Sequence, residues 1–167
     1  MRKILAPVSS LSELIACIMT IAMMVHIVTN VLLRVTVNGY IPATIETVSY
    51  YYMVAAVFLG IFVATYHEAH IRVDVFYNLF RKSVRNVIDV FASIVLFVYL
   101  ALFAYGLLLR AIRSTAHEEF VETIFFDLPI WPTRWLALAG IGLAFMAAGH
   151  IAIRTFRRPS SLSPEER

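Results

Sequence analysis

Charge is what this sequence has least of. Asp, Glu, Lys and Arg make up 15% of its 167 residues, where a soluble domain carries about a quarter. With 60% hydrophobic residues besides, the chain has too few polar side chains to coat a water-soluble globule. There is one cysteine, Cys17, so no intrachain disulfide can form and the redox compartment is not legible from cysteines. No glycine-rich phosphate loop, no nucleophile elbow and no pair of carboxylates inside an apolar run occurs, which removes the usual signatures of nucleotide and ester hydrolysis. The reading is of a non-enzyme. A net charge of +3 is too modest to suggest a nucleic-acid partner.

What is present is apolar length. Leu14–Leu33, Thr47–Tyr66 and Val90–Leu109 each hold twenty residues without Asp, Glu, Lys or Arg, and Trp135–Ile153 holds nineteen. At about 1.5 Å per helical residue, each matches a hydrocarbon core about 30 Å thick. The expected fold is an all-α membrane protein with four transmembrane helices, spans at about 13–33, 45–66, 89–110 and 133–154 in one membrane domain, 1–158. Met1-Arg2-Lys3 has the basic start of a signal peptide, but the apolar stretch is long and no small-residue cleavage site follows before Arg34, so an uncleaved first span is expected. The tail, 159–167, is polar and predicted to be disordered.

Basic residues set the expected orientation. The N-terminal tail, the connection between spans two and three and the C-terminal tail carry ten Lys or Arg, and the other two connections carry four. The positive-inside rule then places both termini in the cytoplasm. Tyr40, Tyr50, Tyr51, Tyr52, Trp131 and Trp135 fall at the outer interface, Tyr66 and Tyr77 at the inner one, as an aromatic belt requires.

The connections differ in kind. The first outer loop turns at Asn38-Gly39, ahead of Pro42. The second opens with a polar extension of helix three and closes through Pro129 and Pro132, which suit an extended approach and a fresh helix start. The inner connection repeats Val73, Phe76, Phe80, Val84, Val87 and Phe91 at three- and four-residue spacing, opposite Arg81, Lys82, Arg85 and Asn86. This predicts an amphipathic interfacial helix, about 71–88, between spans two and three. Its apolar side fits a phospholipid leaflet, with Arg81, Lys82 and Arg85 on headgroups, and equally fits packing on the protein itself.

Three clusters are candidates for chemistry. His67, His70 and Asp74 can share a helical face as metal ligands, but the order is not His-Glu-x-x-His and no cysteine lies near. The structural reading is two i,i+4 pairs, Glu68 with Arg72 and His70 with Asp74, if the helix continues through Ala69. If it bends there, the same groups stitch the bend. His117, Glu118, Glu119 and Glu122 form an acidic outer cluster that reads as a solvated face or a docking patch before it reads as a cation site. His26 and His150 could ligate a haem in a cytochrome b-like electron-transfer anchor, the alternative function. They lie seven and fifteen residues from the outer ends of their helices, so their depths differ by about 12 Å, and one iron needs both at one level.

The helices instead carry small residues at four-residue spacing, Ala56-Gly60-Ala64 and Gly140-Ala144-Ala148. Such strips let helices approach closely, and they are expected to meet each other or a partner. Leu96 is taken as lipid-facing.

Glu46 opening span two, Phe58-Leu59-Gly60 within it and His70-Ile71-Arg72-Val73-Asp74 just after it resemble the small, DctQ-like membrane subunit of tripartite ATP-independent periplasmic (TRAP) transporters. The length, the four spans and Pro129 with Trp131 before the last span fit that family, and the triple Tyr50-Tyr51-Tyr52 departs from it locally. The resemblance implies a bacterial inner-membrane scaffold without cofactor, beside a large membrane subunit that holds the sodium and substrate sites and moves like an elevator. A periplasmic binding protein delivers an organic acid, carboxylate or sulfonate, and docking that protein is a further role open to the small subunit. Glu46, Gly60, His70, Arg72, Asp74, Gly140 and Ala144 then become fold and interface residues, not substrate contacts.

Overall fold

The computed structural model describes residues 2–67, 82–123 and 126–157. Helix α1 spans Arg2–Thr36, a short α2 spans Thr44–Thr47, a π-helical turn covers Val48–Tyr52 and α3 continues over Met53–Tyr66. Helix α4 runs Lys82–Ala116, strands β1 and β2 are Phe120–Glu122 and Asp127–Pro129, and α5 is Trp131–Arg157. Four helical stretches are long and apolar enough to cross a membrane: Ala6–Thr36, Thr44–Tyr66, Val90–Ala116 and Trp131–Ile153.

Two of the helices outrun the bilayer. At 35 residues each, α1 and α4 extend about 52 Å at a rise of about 1.5 Å per residue, against a hydrocarbon core of about 30 Å. Because α4 is continuous from Lys82, the end of the segment read as interfacial forms about the first two turns of this helix. His70, Arg72, Asp74 and Arg81, with the rest of 68–81, lie outside the described residues, as does the 159–167 tail. Lys82 and Arg85 lie in α4, but their side chains are outside the described set.

Local chemistry ends each helix where the sequence turns. The Leu33 carbonyl accepts the Val37 and Gly39 N–H groups at 3.1 Å, with Asn38 between them at φ 51°. Asparagine tolerates that left-handed conformation better than most residues. Ala43 repeats it at φ 56° just before α2. Its neighbours hold it there: Thr44 Oγ1 donates to the Ile41 carbonyl at 2.8 Å, and the Ile41 N–H donates to Asn30 Oδ1 at 2.7 Å. Helix α5 starts with Pro132 in its first turn, where a missing N–H leaves no intrahelical bond unmade, and Thr133 Oγ1 donates back to the Ile130 carbonyl at 2.7 Å.

The β-ribbon is a departure from the all-α expectation. Phe120 pairs with Pro129, Val121 with Leu128 and Glu122 with Asp127, antiparallel. Thr123 closes the turn, its N–H and hydroxyl both reaching the Phe126 carbonyl. Aromatic and β-branched residues (Phe120, Val121, Thr123, Phe126) favour strand over helix here, a signal outweighed in the sequence reading by the long helices around it.

Among the described residues, the spans approach in a row, α1–α3–α5–α4, with side chains such as Phe58 and Phe103 also meeting between α3 and α4. Burial follows position in the row. A third of the most apolar stretch of α5 is buried, 33%, and none of that of α1, 0%. The core is Phe62, Leu100, Ile141, Ala144, Ala147 and Ala148. Leu96 packs against this core, so it is not the lipid-facing residue expected.

Candidate partner interface

The two small-residue strips part company in three dimensions. On α5, Ala144 and Ala148 are buried and Gly140 lies against the backbone of α3. A Cβ built on Gly140 would come within 2.6 Å of the Phe58 carbonyl oxygen and 2.8 Å of its carbon. Backbone atoms cannot swing aside as a side-chain tip can, so glycine at 140 sets the distance between α3 and α5. On α3, the buried positions are Ala55, Leu59, Phe62 and Thr65, one place out of phase with Ala56, Gly60 and Ala64. A Cβ on Gly60 would meet nothing within 4 Å. The strips do not meet each other. That of α3 lies half-buried with open space over its glycine.

Glu46, half-buried, sits in the first turn of α2, where the helix N-terminus favours a carboxylate. Close by, His26 is bound on both sides. Tyr52 OH lies 3.4 Å from its Nδ1 and Thr44 Oγ1 3.4 Å from its Nε2. Thr44 already donates its proton to Ile41, so it can only accept from His26, which places the imidazole hydrogen on Nε2. Both ring nitrogens are engaged by the fold, which leaves neither for an iron. His67, the described member of the first candidate cluster, ends α3 and faces α1, its Nε2 3.5 Å from the buried Ser9 hydroxyl and its ring edge-on to Tyr66 at 5.1 Å. Among the described residues no group of three His, Cys, Asp or Glu side chains could hold a metal.

The acidic cluster between α4 and α5 resolves into one anchored residue, with no ion pair at Glu118 or Glu122 among the described residues. Glu119 Oε1 lies 3.5 Å from Arg110 Nη2 on α4 and 3.7 Å from Arg134 Nη2 on α5. Its carboxyl is held below the ordinary range first by the adjacent Ser114 hydroxyl, with burial the next largest effect and opposing, and then by Arg134 and Arg110. Ser114 Oγ makes no hydrogen bond of ordinary geometry, so the guanidiniums, each in direct contact, are the firmer part of that hold. Trp135 Nε1 donates to Thr115 Oγ1 at 2.8 Å, again joining α5 to α4, and Tyr51 OH donates to the Pro129 carbonyl, tying the ribbon to the π-helical turn. The sequence reading missed Tyr51, Tyr52 and Glu119 as structural pins. The unexpected tyrosine triplet is where the signal lay.

Four spans of this length, packed through small residues and pinned by paired polar groups, define a multi-pass membrane protein. Residues 23–158 match the family described as tripartite ATP-independent periplasmic transporters, DctQ component. That match covers most of the chain, and the chain belongs to this family of transporter components. No curated protein matches it.

Proposed function

We propose that this chain is the static scaffold subunit of a TRAP transporter, bracing a large elevator-type membrane subunit that imports an organic acid, carboxylate or sulfonate, with sodium. The substrate comes from a periplasmic binding protein and never touches this chain. The observation that carries the reading is the family match over 23–158. The fold agrees with it: the α3–α5 contact at Gly140 leaves no room for a larger residue, and His26, the histidine of the first span, is bound within the chain. The charge count of the connections supports cytoplasmic termini in the inner membrane, with Arg81, Lys82 and Arg85 near phospholipid headgroups.

On this reading, Glu46, Gly60, Gly140, Ala144, His70, Arg72 and Asp74 serve fold and assembly. The open space over Gly60 suits close approach by a helix of the large subunit. Asp74→Ala is expected to lower the yield of the complex and leave substrate affinity of the assembled transporter unchanged. The test of function is uptake into vesicles. The chain alone is expected to transport nothing, and to support sodium-dependent uptake only with the large subunit and the binding protein. Sodium-dependent uptake by the chain alone contradicts the proposal.

A further inference from the structure

We infer that the face of α4 centred on Tyr99 is the seam on which a transmembrane helix of the large subunit docks, presenting a hydrogen-bonding group to the Tyr99 hydroxyl at mid-depth. This rests on the scaffold function proposed above and adds where, and by what chemistry, the partner is held.

Depth makes the case. Tyr99 stands nine residues from Val90 and ten from Leu109, the limits of the uncharged run. At about 1.5 Å per residue, that is about 14 Å from either end, near the centre of the hydrocarbon. The side chain is 60% exposed, and its hydroxyl has no partner among the described residues. A hydroxyl facing lipid at that depth loses its water and gains nothing in return, which is strongly unfavourable. Tyr105 differs: four residues from Leu109, about 6 Å, its hydroxyl can reach the headgroups as interfacial tyrosines do. The hydroxyls of Thr20 and Thr65 bond to their own helices. Among the described residues, Tyr99 carries an unpartnered hydroxyl at a depth where lipid cannot serve it.

The surroundings are shaped for a helix. Ala92 and Gly106 lie one heptad before and after Tyr99, on the same face, and both are exposed. A Cβ at Gly106 would meet nothing within 4 Å, so a neighbouring backbone can come close above and below the tyrosine. The ring is already supported, 5.9 Å from that of Phe103, which lies 6.2 Å from Phe58 of α3. Helix α4 also lies at one edge of the row, where an added helix extends the existing layer. A second copy of this chain and lipid are the rival occupants.

The test is photo-crosslinking in membranes that contain the large subunit, with p-benzoylphenylalanine in place of Tyr99 or, as a control, of Ile94. Ile94 is 42% exposed and five residues away, about 140° round the helix. The expected result is an adduct with the large subunit from position 99 and none from 94. Adducts with a second copy, adducts with no protein, or equal adducts from both positions overturn this face, while co-purification of an intact complex keeps the scaffold function standing. Failure of the two subunits to co-purify at all overturns both. Tyr99→Phe keeps the ring and removes only the hydroxyl, and is expected to weaken association roughly three-fold, at most about eighteen-fold, as interhelical hydrogen bonds in membranes do. Unchanged association would overturn the hydrogen bond.

Discussion

Gly60 on α3 and Gly140 on α5 carry the same kind of sequence signature, a glycine in a run of three small residues at four-residue spacing, and they do opposite things. At Gly140 a single added carbon would collide with the backbone of Phe58 at 2.6 Å, and at Gly60 it would enter open space. The difference teaches that a small-residue strip states what a helix permits, not what it touches. One strip has been used to close the chain on itself. The other has open space over its glycine, which suits the scaffold role proposed above.

The largest expected effect lies at the closed strip. Gly140→Ala forces a carbon into main-chain atoms that have no rotamer to escape to, and overpacking of this kind costs about 1–3 kcal/mol. Gly140→Leu is expected to prevent recovery of the folded chain, and thermal melts of the detergent-purified subunit read both variants. Next come the polar pins on the filled sides of α3. Tyr52→Phe removes the hydroxyl that faces His26 Nδ1, and interhelical bonds of this sort contribute about 0.6 kcal/mol, at most about 1.7. Gly60→Ala should go the other way. With room for the methyl group and less backbone freedom to lose on folding, it is expected to raise stability by about 0.5–1 kcal/mol. A melt in which Gly60→Ala destabilises the isolated chain would erase the contrast between the strips.

The smallest effect belongs to the ribbon. The folded-state pKa of Glu119 lies below its unfolded value, near 4.5, so its contribution is complete above that pH and is lost as pH falls through the folded value. Trp135 fluorescence, reporting the α4–α5 junction, is expected to shift over that acid window. Glu119→Gln should flatten the response. A wild-type signal that stays level on acidification would assign the ribbon's hold to Tyr51 and the strand pairing alone.

The spans and the strip on α5 were legible because length and small-residue spacing are one-dimensional properties. The face of α3 was not. In lipid the core-facing and lipid-facing sides of a helix are equally apolar, so nothing in the sequence told Ala55, Leu59 and Phe62 from Ala56, Gly60 and Ala64, or marked Leu96 as packed. The π-helical turn at Val48–Tyr52 adds a residue to the winding just before α3, which shifts the faces that a regular period projects from Glu46 onward. The His26 cluster draws Thr44 and Tyr52 from 18 and 26 residues away, and only the fold brings them together. The ribbon hid in strands of three residues each.

The division of labour between the strips is tested most directly by one paired measurement: Gly60→Leu in the small subunit, scored for its own melting temperature in isolation and for retention of the large subunit on co-purification. The expected result is a melting temperature at or above that of the unsubstituted chain, with most of the large subunit lost. Full retention of the large subunit, with uptake intact, would mean that the open strip faces lipid and that the partner is held elsewhere.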